Sequence, residues 1–195
     1  MKLYTPVFTF FLLLFSFTAK CQLDKGIWLV GGSGNFYASK NTYAVQSSSY
    51  YAESNDLTVK ISPTIGYFIA DKFVVGLKPF FTWYKSHTTT PGGGNENEKR
   101  YGIGPFLRYY FLEKEKQFNI LAETSYQHGF YSFISKGKSN IFSIAAGPVI
   151  YFNSSVGLEF LIGYSSIKEN IDLGANTTKK GLDVGIGFQF YLQKK

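Results

Sequence analysis

The chain has 195 residues, which suits one domain and is short for two. Aromatic residues make up 19% of it, with 20 Phe and 15 Tyr beside 20 Gly, one Cys and one Met; such a composition argues against a helical bundle, because these residue types are poor helix formers. The formal net charge of +7 is dispersed, with no basic run for nucleic acid, and a mean hydropathy near zero is too polar for a bundle of membrane helices.

Residues 1–21 read as a cleavable signal peptide. Lys2 supplies the positive start and Val7 to Phe17 the apolar stretch, which is too short for the roughly 20 residues a spanning helix needs. Ala19 lies two positions before Cys21, so cleavage is expected between Cys21 and Gln22, leaving a domain at 22–195. Lipid attachment at Cys21 is the alternative, and Lys20 argues against it, since a small residue is expected there. Cleavage takes the charge from +7 to +5 and removes the lone cysteine, so neither disulfides nor thiol chemistry is expected.

From there the pattern is period two, predicting eight strands near 26–38, 56–69, 73–85, 100–112, 117–131, 140–152, 155–167 and 181–192. In the second, Leu57, Val59, Ile61, Pro63, Ile65, Tyr67 and Ile69 oppose Thr58, Lys60, Ser62, Thr64 and Gly66. In the third, Phe73, Val75, Leu77, Pro79, Phe81 and Trp83 oppose Val74, Gly76, Lys78, Phe80, Thr82 and Tyr84. The fifth is least regular, because Leu121 interrupts the polar face of Asn119, Glu123, Ser125 and Gln127. The seventh sets Val156, Leu158, Phe160, Ile162 and Tyr164 against Gly157, Glu159, Gly163 and Ser165, and the eighth repeats the design from Leu182 to Leu192. Pro63, Pro79, Pro105 and Pro148 fall on the apolar faces, where each removes a ladder donor and marks a bulge or bend.

The connections alternate. Ala70-Asp71-Lys72, Glu113 to Lys116 and Asn153-Ser154 are short, whereas 39–55, 86–99, 132–139 and 168–180 are long and polar. This predicts an all-β fold, an eight-stranded antiparallel up-and-down transmembrane β-barrel with short periplasmic turns, longer external loops and both termini in the periplasm.

The stretch Ile61-Ser62-Pro63-Thr64-Ile65-Gly66-Tyr67-Phe68-Ile69-Ala70-Asp71-Lys72-Phe73-Val74-Val75-Gly76-Leu77 resembles the strand–turn–strand signature of the small outer-membrane β-barrel family common in Bacteroidetes, related in architecture to the OmpX and OmpA barrels. Trp28-Leu29-Val30-Gly31-Gly32 and the Gly-x-Gly-Phe-x-Phe-Tyr ending at 185–191 fit it too, so the resemblance spans the whole mature chain. It implies a Gram-negative outer-membrane barrel and no particular reaction. The Gln193-Lys194-Lys195 tail departs from the family's terminal aromatic and leaves Tyr191 as a displaced one.

A soluble lipocalin-like barrel would invert the faces. Here the apolar faces are nearly free of charge, while Lys60, Lys78, Arg108, Glu123, Glu159 and Asp183 stand on the opposite ones among small residues. Buried charges persist only when paired, so these six are expected to form an ion-pair network that plugs the lumen. Lys78, Arg108, Glu123 and Glu159 lie at similar depth, with Lys60 and Asp183 farther from the short turns. Aromatic girdles are expected at both membrane edges: Trp28, Phe73, Phe111, Phe118, Phe152, Phe190 and Tyr191 near the short turns, and Trp83, Tyr101 and Tyr126 toward the loops.

No catalytic set, metal site or cofactor is expected. Gly102-Ile103-Gly104 and Gly185-Ile186-Gly187 lack the following helix of a dinucleotide loop, and His128 has Glu123, Ser125 and Ser132 nearby only in sequence. The expectation is a monomeric barrel contacting outer-membrane lipids and, during biogenesis, the barrel-assembly machinery. Its loops, including Tyr43, Tyr50, Tyr51 and Ser47–Ser49, are open to a surface ligand. The alternatives are a narrow pore for ions or small solutes and a lipid-modifying enzyme.

Overall fold

The period-two segments become strands, joined into a closed antiparallel sheet. The structure, a computed structural model, describes residues 23–44, 51–89, 94–132, 136–171 and 176–193; residues 1–22, with the expected signal peptide and Cys21, lie outside them. The segments are β1 (Trp28–Ala44), β2 (Tyr51–Ala70), β3 (Phe73–Leu77), β4 (Phe80–Thr88), β5 (Asn95–Ile103), β6 (Pro105–Tyr110), β7 (Phe118–Ser132), β8 (Lys136–Asn153), β9 (Val156–Ile171) and β10 (Asn176–Leu192). β3 and β4 are one barrel strand interrupted at 78–79, and β5 and β6 another interrupted at Gly104, so eight strands form the wall. Each pairs with its sequence neighbours, and β1 closes the circle on β10 from Trp28–Leu192 to Gly34–Ile186.

The in-strand prolines acquire a physical account. Pro63 and Pro79 face each other in the gap between the Ile61–Phe81 and Ile65–Leu77 pairs, where neither can donate. Beside that gap the Lys78 amide donates to the Gly104 carbonyl at 2.8 Å, which ties the two interruptions together. Pro148 pairs with Ile120 of β7 and sits where the β8–β9 ladder skips from Ala146–Ile162 to Val149–Glu159. The wall tolerates the missing donors because each proline stands at a place where one ladder is already open.

The short connections are tight. Asp71-Lys72 joins β2 to β3 with a bulge between Phe68 and Ala70, and Lys72 takes the left-handed conformation (φ 64°) that such a turn needs. The long connections differ from expectation. Much of 39–55, 86–99, 132–139 and 168–180 continues the ladders: Tyr43 pairs with Ala52 and Ala44 with Tyr51, while Tyr50 and Ser47–Ser49 lie outside the described residues. Polar residues in alternation look like loop, yet a hairpin keeps its backbone bonds as long as its two arms stay in register. β2 therefore reaches 20 residues and β8 18, against about 9–11 for a tilted transmembrane strand.

The outer face is apolar round the barrel. Ile61, Leu77, Phe81, Ile103, Leu107, Ile144, Ile162, Val184 and Phe188 are all exposed there. Soluble monomers rarely expose contiguous apolar patches beyond a few hundred Å², so this belt is built to meet hydrocarbon. Inside, the end with the short turns is closed by a buried cluster of Phe68, Val74, Phe106, Tyr110, Leu121, Val149, Tyr151 and Tyr191. Leu121, the residue that interrupts the polar face of its strand, packs here. The lead-in segment adds Leu23 and Ile27, fixed by Gly26 donating to the Phe68 carbonyl and Lys72 to that of Leu23 (2.9 and 2.8 Å).

Candidate functional site: the barrel lumen

Alternation along β6 points Phe106, Arg108 and Tyr110 inward, and the same rule turns Glu123 of β7 and Glu159 of β9 toward them. Arg108 is the hub. Its Nε and Nη2 donate to Glu123 Oε2 at 2.9 and 2.6 Å, and its Nη1 to Glu159 Oε1 at 2.6 Å and to the Tyr110 hydroxyl at 3.2 Å. Lys78 Nζ holds the other oxygen of Glu123, and Gln189 Nε2 donates to Glu159 Oε2 at 3.2 Å. Tyr110 and Tyr191 share a hydroxyl–hydroxyl bond of 3.0 Å, which joins the network to the apolar cluster beneath it. Side-chain exposure of Arg108, Glu123 and Glu159 is 1%, 3% and 1%, so water does not carry this charge. A guanidinium suits the place, because its planar fork serves two carboxylates at once.

The structure thus joins Lys78, Arg108, Glu123 and Glu159 by direct bonds, and sets Lys60 and Asp183 on the same small cavity as Lys78 and Glu123 without such a bond among the described residues. Those two line a small cavity of about 50 Å³ with Ser33, Ser62 and Ser125, and neither is in an ion pair among the described residues. They stand on β2 and β10 with β1 between them, where Asn35 turns its amide to the Val184 carbonyl. The expectation of one six-membered network is narrowed: four of the charges are directly bonded, and Lys60 and Asp183 face the cavity that Lys78 and Glu123 also line.

Tyr191 is also corrected. Its residue type suggests a girdle, but period two sets it on the face of Gln189, opposite Phe190 and Leu192, and it is buried in the lumen. The other girdle residues face outward. Trp28, Phe111, Phe118 and Phe190 are exposed near the short turns, with Phe73 and Phe152 half-buried in the same band. Trp83, Tyr101 and Tyr126 form the far band, where Tyr101 packs on Phe130 at 6.2 Å between ring centres.

Above the small cavity lies a vestibule of about 510 Å³, lined by Thr58, Lys60, Thr82, Tyr84, Arg100, Ser139 and Lys179. A second ion cluster crosses it: Arg100 bonds both Glu98 and Glu169, and Lys179 reaches Glu169 at 3.0 Å. Sequence reasoning missed this cluster because Glu98, Glu169 and Lys179 fell in segments read as loop. The signal was present, since Glu98 and Arg100 continue the alternation of Gly102, Gly104, Phe106 and Arg108 without a break.

His128 faces outward, with Nδ1 2.7 Å from Asn140 Oδ1 and its ring edge-on to Phe130, whereas Ser125 and Glu123 of the same strand are buried inside. A nucleophile–base pair needs hydrogen-bond reach, and the sheet separates these groups. Among the described residues no group of three His, Cys, Asp or Glu side chains could hold a metal.

The fold can be compared with solved structures. The outer membrane protein OprG of Pseudomonas aeruginosa superposes with a TM-score of 0.57 at 16% identity, covering 90% of this chain and all of that one. Neisserial surface protein A gives 0.54 at 16% identity, covering 85% and 97%. The chain has the fold of these outer-membrane barrels. At this identity the likeness concerns the fold alone. No family model matches the sequence, and no curated protein does.

Proposed function

We propose that the chain is an integral outer-membrane protein with a structural or surface-interaction role, whose lumen is plugged and whose long hairpins are displayed outside the cell. The closed lumen carries this reading. The apolar cluster and the Arg108 network fill the barrel at the end with the short turns, and an eight-stranded barrel is only just wide enough for its own side chains. The apolar belt supports residence in a bilayer. The likeness in fold to OprG and Neisserial surface protein A supports the outer membrane. Short turns on the periplasmic side and long hairpins outside follow the usual asymmetry of such barrels. The chemistry on display is that of a polar hairpin surface round a charged vestibule, which suits binding more than turnover.

The test is a planar-bilayer recording on protein whose folding is shown by heat-dependent gel mobility. A plugged barrel gives no resolved conductance steps. Steady unitary steps from heat-modifiable protein would overturn the plugged reading in favour of a narrow pore, and a chain soluble in plain buffer without a mobility shift would overturn the membrane reading.

A further inference from the structure

Charge is sorted between the two faces of the far half of the barrel. Asp56, Glu98 and Glu169 share the inward parity, whereas Lys85, Lys99, Lys138, Lys168 and Lys180 stand in line with outward apolar residues and are exposed. None of these five lysines is in an ion pair among the described residues. On that outward face Glu53 is the one carboxylate among the described residues, and Lys40 holds it at 2.9 Å.

Three of the lysines belong together. Lys180 lies opposite Ser166, and Lys168 opposite Thr178 and Asn140. Lys180, Lys168 and Lys138 are therefore diagonal neighbours on adjacent strands, roughly 7–8 Å apart at the backbone. The stagger matches the strand tilt: the short-turn edge of the wall shifts the same way, from Val156 beside Phe190 to Phe118 beside Ile150. The tilt offsets part of their stagger, so the three lysines fall within one band of the wall.

Below them the wall is hollowed. A shallow, open groove of about 650 Å³ crosses the wall from β3 through β6 to β10, and Tyr109, Ala122, Ala146, Ile162, Tyr164 and Leu182 line it on the outer face. Ala122 and Ala146 are register partners and form a flat floor between Tyr109 and Ile162. At one end Leu182 stands two residues from Lys180 on the same face; at the other the groove reaches Phe73, beside the short turn. Six strands at about 4.8 Å spacing make it on the order of 24 Å long. An apolar trough leading obliquely into the hydrocarbon from cations unpaired among the described residues fits an amphipathic anion.

We propose that this groove and Lys138, Lys168 and Lys180 bind one phosphorylated lipid of the outer leaflet, its phosphate on the lysines and an acyl chain over Ala122 and Ala146. The site rests on the membrane reading above, which heat-dependent mobility reports separately. The lysines suit the task, since their stems lie along the wall while the ammonium groups stay at the headgroup level.

The experiment is native mass spectrometry of the full folded chain released from neutral detergent, offered dioleoyl phosphatidic acid, dioleoyl phosphatidylcholine or inorganic phosphate. Phosphatidic acid should be retained at least tenfold over phosphatidylcholine, and inorganic phosphate should not be retained. K138Q/K168Q/K180Q should abolish the preference, K85Q/K99Q should leave it within twofold, and Ala146→Leu or Ala146→Trp should reduce retention with all lysines present. Equal retention of both lipids overturns the proposal, and so does equal loss in the two lysine variants, which would mean diffuse charge. Retention of phosphate alone, or indifference to filling the groove, would mean a charge site with no acyl seat and overturn it too.

Discussion

Replacing Arg108 by Met keeps much of the side-chain volume and removes the only cation that reaches Glu159 among the described residues. Glu123 keeps Lys78, so its charge remains compensated. Glu159 keeps only Gln189 as a donor, at 3.2 Å, with 1% of its side chain exposed. Breaking a buried pair from one side costs about 3–5 kcal/mol, because a charge is left without compensation. Most of that cost should belong to Glu159, and Arg108→Met/Glu159→Gln should recover about 1–3 kcal/mol, the usual cost of a buried polar group left unsatisfied. At about 1.4 kcal/mol per factor of ten, the single variant loses roughly two to three and a half orders of magnitude in its folding equilibrium. Urea unfolding in lipid vesicles, followed by tryptophan fluorescence of Trp28 and Trp83 and by gel mobility, measures both values. A single variant within about 0.5 kcal/mol of the parent, in the range of ordinary surface substitutions, would refute the reasoning. So would a double variant no more stable than the single.

Two further outcomes follow from the geometry. Asp71 in the first short turn accepts hydrogen bonds from the Lys114 ammonium at 2.6 Å and from the Lys25 amide at 2.9 Å, and the Lys114 bond leads in holding its carboxyl below the usual aspartate range. Any stability it lends is present above the ordinary aspartate pKa and lost as pH falls through the depressed one; NMR titration should show Lys114→Ala moving Asp71 back up, and an unchanged midpoint would reject the clasp. A Cβ on Gly104 would lie 1.9 Å from the Tyr126 carbonyl oxygen and 2.5 Å from Gln127 Cα, both backbone atoms. Gly104→Ala should therefore cost about 1–3 kcal/mol as an overpacking change, and a neutral result by the same urea assay would show that the strand interruption is pliable.

The barrel was legible because its physics is repetitive. A residue on one side of a strand fixes the side of every other residue in that run, so Phe73 to Trp83 and Leu182 to Leu192 announce a wall with two faces. Four of the six lumen charges could be grouped by counting from the short turns, since depth in a barrel is a matter of residues along a strand. Lys60 and Asp183 could not, because they stand on strands separated by β1, where depth along a strand does not fix the distance across the lumen. For Tyr191 residue type and parity disagree, and parity, which sets it beside Gln189, decides. The Glu98–Arg100–Glu169–Lys179 cluster is masked by composition: polar, glycine-containing sequence reads as loop even where alternation continues through Glu98 and Arg100, and the ladder partners Trp83–Lys99 and Lys168–Thr178 show it to be strand.

The two ends of the lumen follow from one constraint applied under two conditions. Where the belt excludes water on the outside and the apolar cluster excludes it below, a charge has no solvent to turn to, and the interior holds an arginine that can saturate two carboxylates through a rigid fork. Toward the far end the cavity widens from about 50 to about 510 Å³, water can reach the side chains, and the demand for pairing relaxes. Lys60 and Asp183 stand at that transition with no direct ion pair among the described residues. Arg100, 25% exposed at its side chain, is paired with carboxylates that sit beside it in the vestibule. Removing Arg108 should accordingly be severe, while a matching change at Arg100 should be milder: Glu169, 5% exposed at its side chain, keeps Lys179 at 3.0 Å, and Glu98, 13% exposed, can draw on the water of the vestibule. Depth in the barrel, more than the number of ion pairs, sets what each charge is worth.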